Sequence, residues 1–260
     1  MRSKSPRSVY QQKNVSPQPN ARSRSVPHDI SPSPPRRNTT QSPKENNPPD
    51  QMTQSDILSQ LDTIFDFFIN EITIKQFFTK QRKKELLNLA RSSKQNGNKY
   101  ITSRTKSQVL SNQFWVIWNS FQTQLEQELD KHLTQNFNSL SRYLVILQEA
   151  VDSIKSSKKS ALDLQIRANE LIDRGNNLLG DSDEIAQIYT DFRQFNNDII
   201  HEDVIDKQPK LKLKFTSTTS QILTLLKSIK DINICQTKFR SQFDDSISIL
   251  EALIPLNSSN

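Results

Sequence analysis

Residues 108–179 read QVLSNQFWVIWNSFQTQLEQELDKHLTQNFNSLSRYLVILQEAVDSIKSSKKSALDLQIRANELIDRGNNLL, and they contain no proline and no glycine before Gly175. Nothing in this stretch interrupts a helix, so the sequence predicts one long helical element from Gln108 to Leu179. Its middle is heptad-like. Phe137, Leu140, Leu144, Leu147, Val151 and Ile154 follow one another by alternating steps of three and four, the spacing of a coiled-coil seam, and Lys158 then Ala161 weaken it. Earlier, Trp118, Phe121, Leu125, Leu129, Leu133 and Phe137 include several steps of four, so the apolar stripe drifts around the helix and suits a wider bundle. Trp115 and Trp118 are expected to pack in a core rather than stack on a ligand.

Toward the N-terminus, Ile57, Leu58, Leu61, Ile64, Phe65, Phe68, Ile69 and Ile72 recur at helical spacing, with Ser55 as the expected N-cap. Lys80 to Arg91 predicts a continuation through Leu86, Leu87 and Leu89, and Ser92–Asn98, which holds Gly97, reads as a connector. Toward the C-terminus, Gly180 is the expected helix stop. Asp181 or Ser182 caps a further helix through Ile185, Ile188, Phe192, Phe195 and Ile199. Pro209 and the alternating Lys210–Phe215 predict a break with a short extended edge, followed by two short helices over about 217–231 and 236–254. The fold class is therefore all-α. Elongated helices with a central coiled coil and short C-terminal helices follow a disordered arm, in the order 1–54, 55–107, 108–180 and 181–260.

The arm is set apart by composition: ten of the twelve prolines lie between Pro6 and Pro49, and sizeable apolar groups are scarce. Such a segment buries too little surface to offset chain entropy, which predicts disorder. Of the chain's net charge of +7, residues 1–50 hold +6. The rest is blocked, with ten basic residues against Glu85 alone over 75–106 and eight basic against sixteen acidic over 107–206. A basic arm of this kind predicts a weak contact with DNA or an acidic surface. Five serines precede proline, Ser5, Ser16, Ser31, Ser33 and Ser42, and are candidate phosphorylation sites whose charge would offset the arm's own. Lys44, Glu45 and Asn46 have the form of a KEN-box degron.

No catalytic, metal or cofactor site is expected. His28, His132 and His201 sit in different segments without ligand spacing, and glycines only at 97, 175 and 180 exclude a glycine-rich phosphate loop. Cys235, the single cysteine, cannot form an internal disulfide and reads as a small buried apolar group. The acids Asp181, Asp183 and Glu184 complement the dipole of the helix they open. The most apolar run, around Val145–Leu147, is far short of the roughly 20 residues a membrane-spanning helix needs. No apolar run follows Arg2, Lys4 and Arg7, so a signal peptide is not expected and the protein is predicted to be intracellular.

Residues Asp56 to Glu71, DILSQLDTIFDFFINE, then Phe121-Gln122-Thr123 and the run Leu164-Gln165-Ile166-Arg167-Ala168-Asn169-Glu170, resemble fungal CENP-U-type subunits of the inner-kinetochore COMA complex. The resemblance covers about residues 55–175. It implies a nuclear, centromeric, non-catalytic scaffold in a hetero-oligomer, paired along its coiled coil with a CENP-Q-type subunit and linking centromeric chromatin to the outer kinetochore. The family's compact Arg-rich N-terminal motif has only loose counterparts here, Arg2, Lys4 and Arg7 or Arg36-Arg37. An alternative reading of the same heptads is a coiled-coil subunit of a vesicle-tethering complex, cytoplasmic and associated with the Golgi or endolysosomal membranes. In either reading, the seam from Phe137 to Ile154 is where the partner binds.

Overall fold

A computed structural model describes residues 52–256 except 157, 201–204 and 206. The described residues form six helices and no strand: α1 (Gln54–Ile74), α2 (Lys80–Thr102), α3 (Gln108–Asp152), α4 (Lys159–Asn176), α5 (Ser182–Ile200) and α6 (Pro209–Leu253). All belong to one compact unit, Asn47–Asn260. The arm, with Ser5, Ser16, Ser31, Ser33, Ser42 and the Lys44-Glu45-Asn46 triplet, lies outside the described residues.

The frame is an antiparallel pair of long helices. α3 and α6 each have 45 residues, about 67 Å at 1.5 Å per residue. They stay paired along their length: Trp115 Nε1 donates to the Ile254 carbonyl at 2.8 Å, Asn136 Nδ2 to Ser228 Oγ at 3.1 Å, and Lys214 Nζ to Glu149 at 3.1 Å. The α1–α2 hairpin packs on one half of this pair and the α4–α5 hairpin on the other. The result is two up-down-up-down four-helix bundles that share both long helices. The first core draws on α1, α2, the start of α3 and the end of α6, from Leu61 to Ile254. The second draws on the end of α3, α4, α5 and the start of α6, from Leu140 to Ile229. Bundle 2 is thus an insertion between the two halves of bundle 1, and none of the expected segments 55–107, 108–180 and 181–260 closes a core by itself.

Between the cores α3 turns polar, while α6 keeps Ile229, Ile232 and Cys235 buried. No residue of α3 from Asp130 to Ser139 is fully buried, and only Leu133 packs against both cores. Here Gln236 Nε2 reaches Asp130 at 2.5 Å and Asn233 Nδ2 reaches the Gly180 carbonyl at 2.8 Å. The buried carboxylate of Glu128 takes Arg82 Nε at 3.2 Å and lies 3.2 Å from His132 Nε2. Removing one partner from a buried ion pair typically costs about 3–5 kcal/mol, so this layer resists any slip of α2 along α3.

Several expectations are corrected. The helix predicted over 108–179 stops at Asp152, and α4 folds back along it, because the stretch from Ser153 to Ser160 supplies only Ile154 as an apolar group. Folding back lets Leu144, Leu147 and Val151 bury themselves against Ala161, Leu164, Ala168 and Ile172 within one chain. Ser92–Asn98 is helix, not connector. Gly97 is there because three helices converge on it: a Cβ would lie 2.7 Å from Leu61 Cδ2, 3.3 Å from Phe114 Cε2 and 3.4 Å from Ile254 Cδ1. Lys210–Phe215 is helical, and the two short C-terminal helices are one, since Pro209 sits in the first turn of α6, where its missing N–H costs nothing. The α1 cap is Thr53, which forms a reciprocal capping box with Asp56, rather than Ser55. The helix before Gly180 ends earlier than expected, with Asn177 as its cap residue, whereas the Asp181 cap is as expected. Gly180 has φ +93°, a conformation glycine adopts freely, and Asp181 Oδ1 accepts from the backbone of Asp183 and Glu184, each at 2.9 Å.

Candidate interaction surface

The seam that the sequence offers to a partner is already occupied by this chain. Leu140, Leu144, Leu147, Val151 and Ile154 are all buried, while Phe137, at the polar layer, is half-buried. Their neighbours are α4, α5 and α6. Steps of three and four report a buried stripe, and an antiparallel bundle uses the same knobs-into-holes spacing as a coiled coil. The seam is therefore core, and any partner surface lies elsewhere.

Trp115 and Trp118 are core residues as expected, with Trp118 in edge contact with Phe65 at 5.4 Å and with Phe68 at 5.7 Å. Cys235 is buried too, and burial pushes its thiol up to about 11, so it is a packing group rather than a nucleophile. Among the described residues no helix is long and apolar enough to cross a membrane.

The outer surface of bundle 1 is sorted by charge, helix by helix. On α2 the basic residues that lean toward neighbours are matched. Lys94 bridges Asp62 at 3.0 Å and Asp66 at 2.9 Å, Arg82 pairs with Glu85 at 3.0 Å and Glu128 at 3.2 Å, and Lys83 donates to the Thr73 carbonyl at 2.8 Å. Burial lowers the Lys94 pKa, and its hydrogen bonds and charge interactions with Asp66 and Asp62 outweigh this, leaving it raised. The outermost line of α2, by contrast, runs Lys80, Lys84, Asn88, Arg91, Gln95 and Lys99, all exposed. Among the described residues no carboxylate pairs with its four cations. Arg104 and Lys106, exposed in the α2–α3 turn, extend the line.

Beside it lies the first half of α3, in which Gln108–Leu125 carries no charged residue at all. The register is set by Gly97 against Phe114 and by Arg82 Nη1, which donates to Gln124 Oε1 at 3.1 Å; by helical spacing Lys99 borders this uncharged strip, Lys84 faces outward and Arg91 turns toward α1. Val109 and Val116 project from the strip at 64% and 69% exposure. With Asn96, Asn112, Gln113 and Ile117 they line a shallow groove of about 390 Å³ between α2 and α3.

A second groove, of about 520 Å³, runs between α4 and α5 with Leu171 and Phe195 among its lining residues. The Arg167–Asp198 pair and the Arg174–Asp191 pair, the latter at 2.6 Å, bridge it, while Glu170 and Asp173 on its lining make no ion pair among the described residues. The α2–α3 face combines exposed apolar groups with unmatched charge, as does the groove between α1 and α6 lined by Ile74, Ile234, Lys227 and Asp231. The basic run over 75–106 is legible in the sequence. The uncharged strip next to it is equally visible there, but only the fold shows that the two lie side by side. No known protein family, no curated protein and no solved structure matches this chain.

Proposed function

We propose that the chain is a non-catalytic helical scaffold subunit that binds a protein partner across its α2–α3 face, with its two bundles closed internally. One observation carries this reading: an exposed, charge-free strip bearing Val109 and Val116 beside an unmatched line of cations. Depletion of charge around apolar groups, with charge at the rim, is the composition of a protein interface. For the identity of the complex, the inner kinetochore is the first reading, supported by the resemblance over Asp56–Glu71 and Leu164–Glu170 and by the Ser-Pro arm. Pairing through the Phe137–Ile154 seam no longer supports it. The test is purification of the full chain beside Val109→Asp/Val116→Asp, followed by identification of co-purifying proteins. Centromeric subunits lost from the double variant support both parts of the reading. Golgins in their place would move the scaffold to a tethering complex, and an unchanged set of proteins would overturn the surface assignment.

A further inference from the structure

The α2–α3 groove has a direction, a length and a sign, and together they describe its occupant. Val109 and Val116 are seven residues apart, two helical turns or about 10.5 Å along α3, and Ile117 lies beside them in the groove. A helix laid along such a groove inserts side chains at i, i+3 or i+4 and i+7. The cation line starts beyond one end of the strip and runs past it: from Lys80 to Lys99 it covers about 28 Å, enough to face roughly 18 residues of a helical partner. The other border of α3 is different. There α6 exposes Asp244 and Glu251 beside the groove and Arg240 beyond its end, so the border next to Val109 and Val116 is acidic on that side.

Resting on the scaffold reading above, we infer that this groove binds an amphipathic helix whose apolar edge enters between α2 and α3 and whose acidic edge lies over Lys84 and Lys99. The observations disfavour two other occupants and one arrangement of a third. The chain's own arm carries +6 and would meet cations with cations. A nucleic acid would match the cations but leave Val109 and Val116 against phosphate and sugar. A second copy packed antiparallel through α3 would oppose the two basic lines, and one packed parallel would set them against Asp244 and Glu251, which is why a wild-type dimer is an outcome of the test.

The test uses the full chain and a displayed library of helical peptides of about 18 residues, with Leu or Ile fixed at i, i+4 and i+7 and both flanking edges randomised among Glu, Gln and Lys. Selection is expected to enrich Glu on one edge only. An enriched peptide is expected to bind at least tenfold more weakly to Lys84→Glu/Lys99→Glu, and at least tenfold more weakly to Val116→Asp. The same peptide with its Glu residues changed to Lys should recover binding to the charge-reversed variant. Circular dichroism and tryptophan fluorescence of both variants should match wild type, because every substituted side chain is exposed; Val116→Ser serves as a milder second variant. Enrichment without an acidic bias, no enrichment at all, or acidic peptides indifferent to both Val116 variants would overturn the inference. So would a wild-type dimer that Val116→Asp dissociates, or duplex DNA that binds wild type and Val116→Asp equally and displaces the peptide. If the double valine variant loses its native partners while no acidic peptide is selected, the scaffold reading survives and this inference alone fails.

Discussion

The two bundles share their long helices and differ in what fills them. Bundle 1 is built on rings: Phe68 alone meets Trp118 at 5.7 Å, Phe121 at 5.4 Å, Phe239 at 5.9 Å and Phe243 at 4.5 Å. Bundle 2 is mostly aliphatic. It buries Phe192, Phe195 and Phe215, but among the described residues these rings make no stacking or edge contact with one another, and its α4–α5 side is a groove bridged by surface ion pairs. Aromatic pairs contribute about 0.5–1.5 kcal/mol each beyond their burial, whereas exposed ion pairs contribute about 0–1 kcal/mol. The comparison teaches that one continuous pair of helices can carry a half packed by rings and a half packed by aliphatic groups, and that the candidate docking face lies on the ring-packed half.

The strongest way to break this contrast is to attack the rings. Phe68→Ala is expected to cost about 3–5 kcal/mol, read by urea denaturation, against about 2–5 kcal/mol for Leu144→Ala in bundle 2. Both tryptophans lie in bundle 1, so fluorescence follows that half while circular dichroism follows both. In wild type, helicity should begin to fall before fluorescence changes, and Leu144→Ala should widen the gap. Coincident curves in both proteins would mean that the bundles unfold as one unit.

The glycines give a finer contrast. Gly97→Ala forces a methyl among Leu61, Phe114 and Ile254, from three different helices, whereas Gly175→Ala meets only Leu144, with Cδ1 at 2.8 Å. Overpacking costs about 1–3 kcal/mol and the gain in helix propensity is about 1 kcal/mol. Gly97→Ala should therefore destabilise, and Gly175→Ala, which displaces the buried Leu144 rather than groups from several elements, should destabilise less in the same denaturation assay.

Smaller still is the pH effect at the α1–α6 contact of bundle 1. Partial burial pushes the Glu71 carboxyl up, but the hydrogen bond and charge of Lys238, 2.5 Å away, and the charge of Lys75 outweigh it and hold the pKa below the ordinary value of 4.5. A lowered carboxylate pKa stabilises the fold above the unfolded-state value, and that contribution disappears as pH falls through the lowered one. Lys238→Ala should bring the Glu71 titration, followed by carboxyl NMR, back toward 4.5 and flatten this part of the acid dependence. Smallest of all, Arg174→Ala should change bundle 2 by less than about 1 kcal/mol in urea denaturation, since its partner Asp191 is a surface carboxylate.

Helix content and the identity of the buried residues were legible from spacing alone: Leu61, Phe65, Phe68, Trp118, Leu144 and Val151 are core as the periodicity predicts. Two things were not. Periodicity carries no sign of which element covers a stripe, so Leu140–Ile154 reads the same whether its neighbour is a partner chain or α4 of this one. Gly97 and Pro209 read as breaks because their local propensities are those of breaks; a glycine admitted for close packing and a proline placed in a first turn reveal themselves only in three dimensions. The candidate surface was half visible, through the basic run, and became a surface only when Gln108–Leu125 was set beside it.

The shared use of α6 has a consequence for how the protein is made. Both bundles take their fourth wall from residues 209–253, the last of the six described helices to leave the ribosome. Until then Phe68, Trp118 and Phe121 in one half and Leu144, Ile188 and Phe192 in the other have an open side, and they gain it back in reverse order, bundle 2 first from the N-terminal half of α6 and bundle 1 afterwards from its C-terminal half. For most of its synthesis the nascent chain carries two unfinished hydrophobic clefts, the form that attracts chaperones and favours exchange of α6 between neighbouring chains on one message.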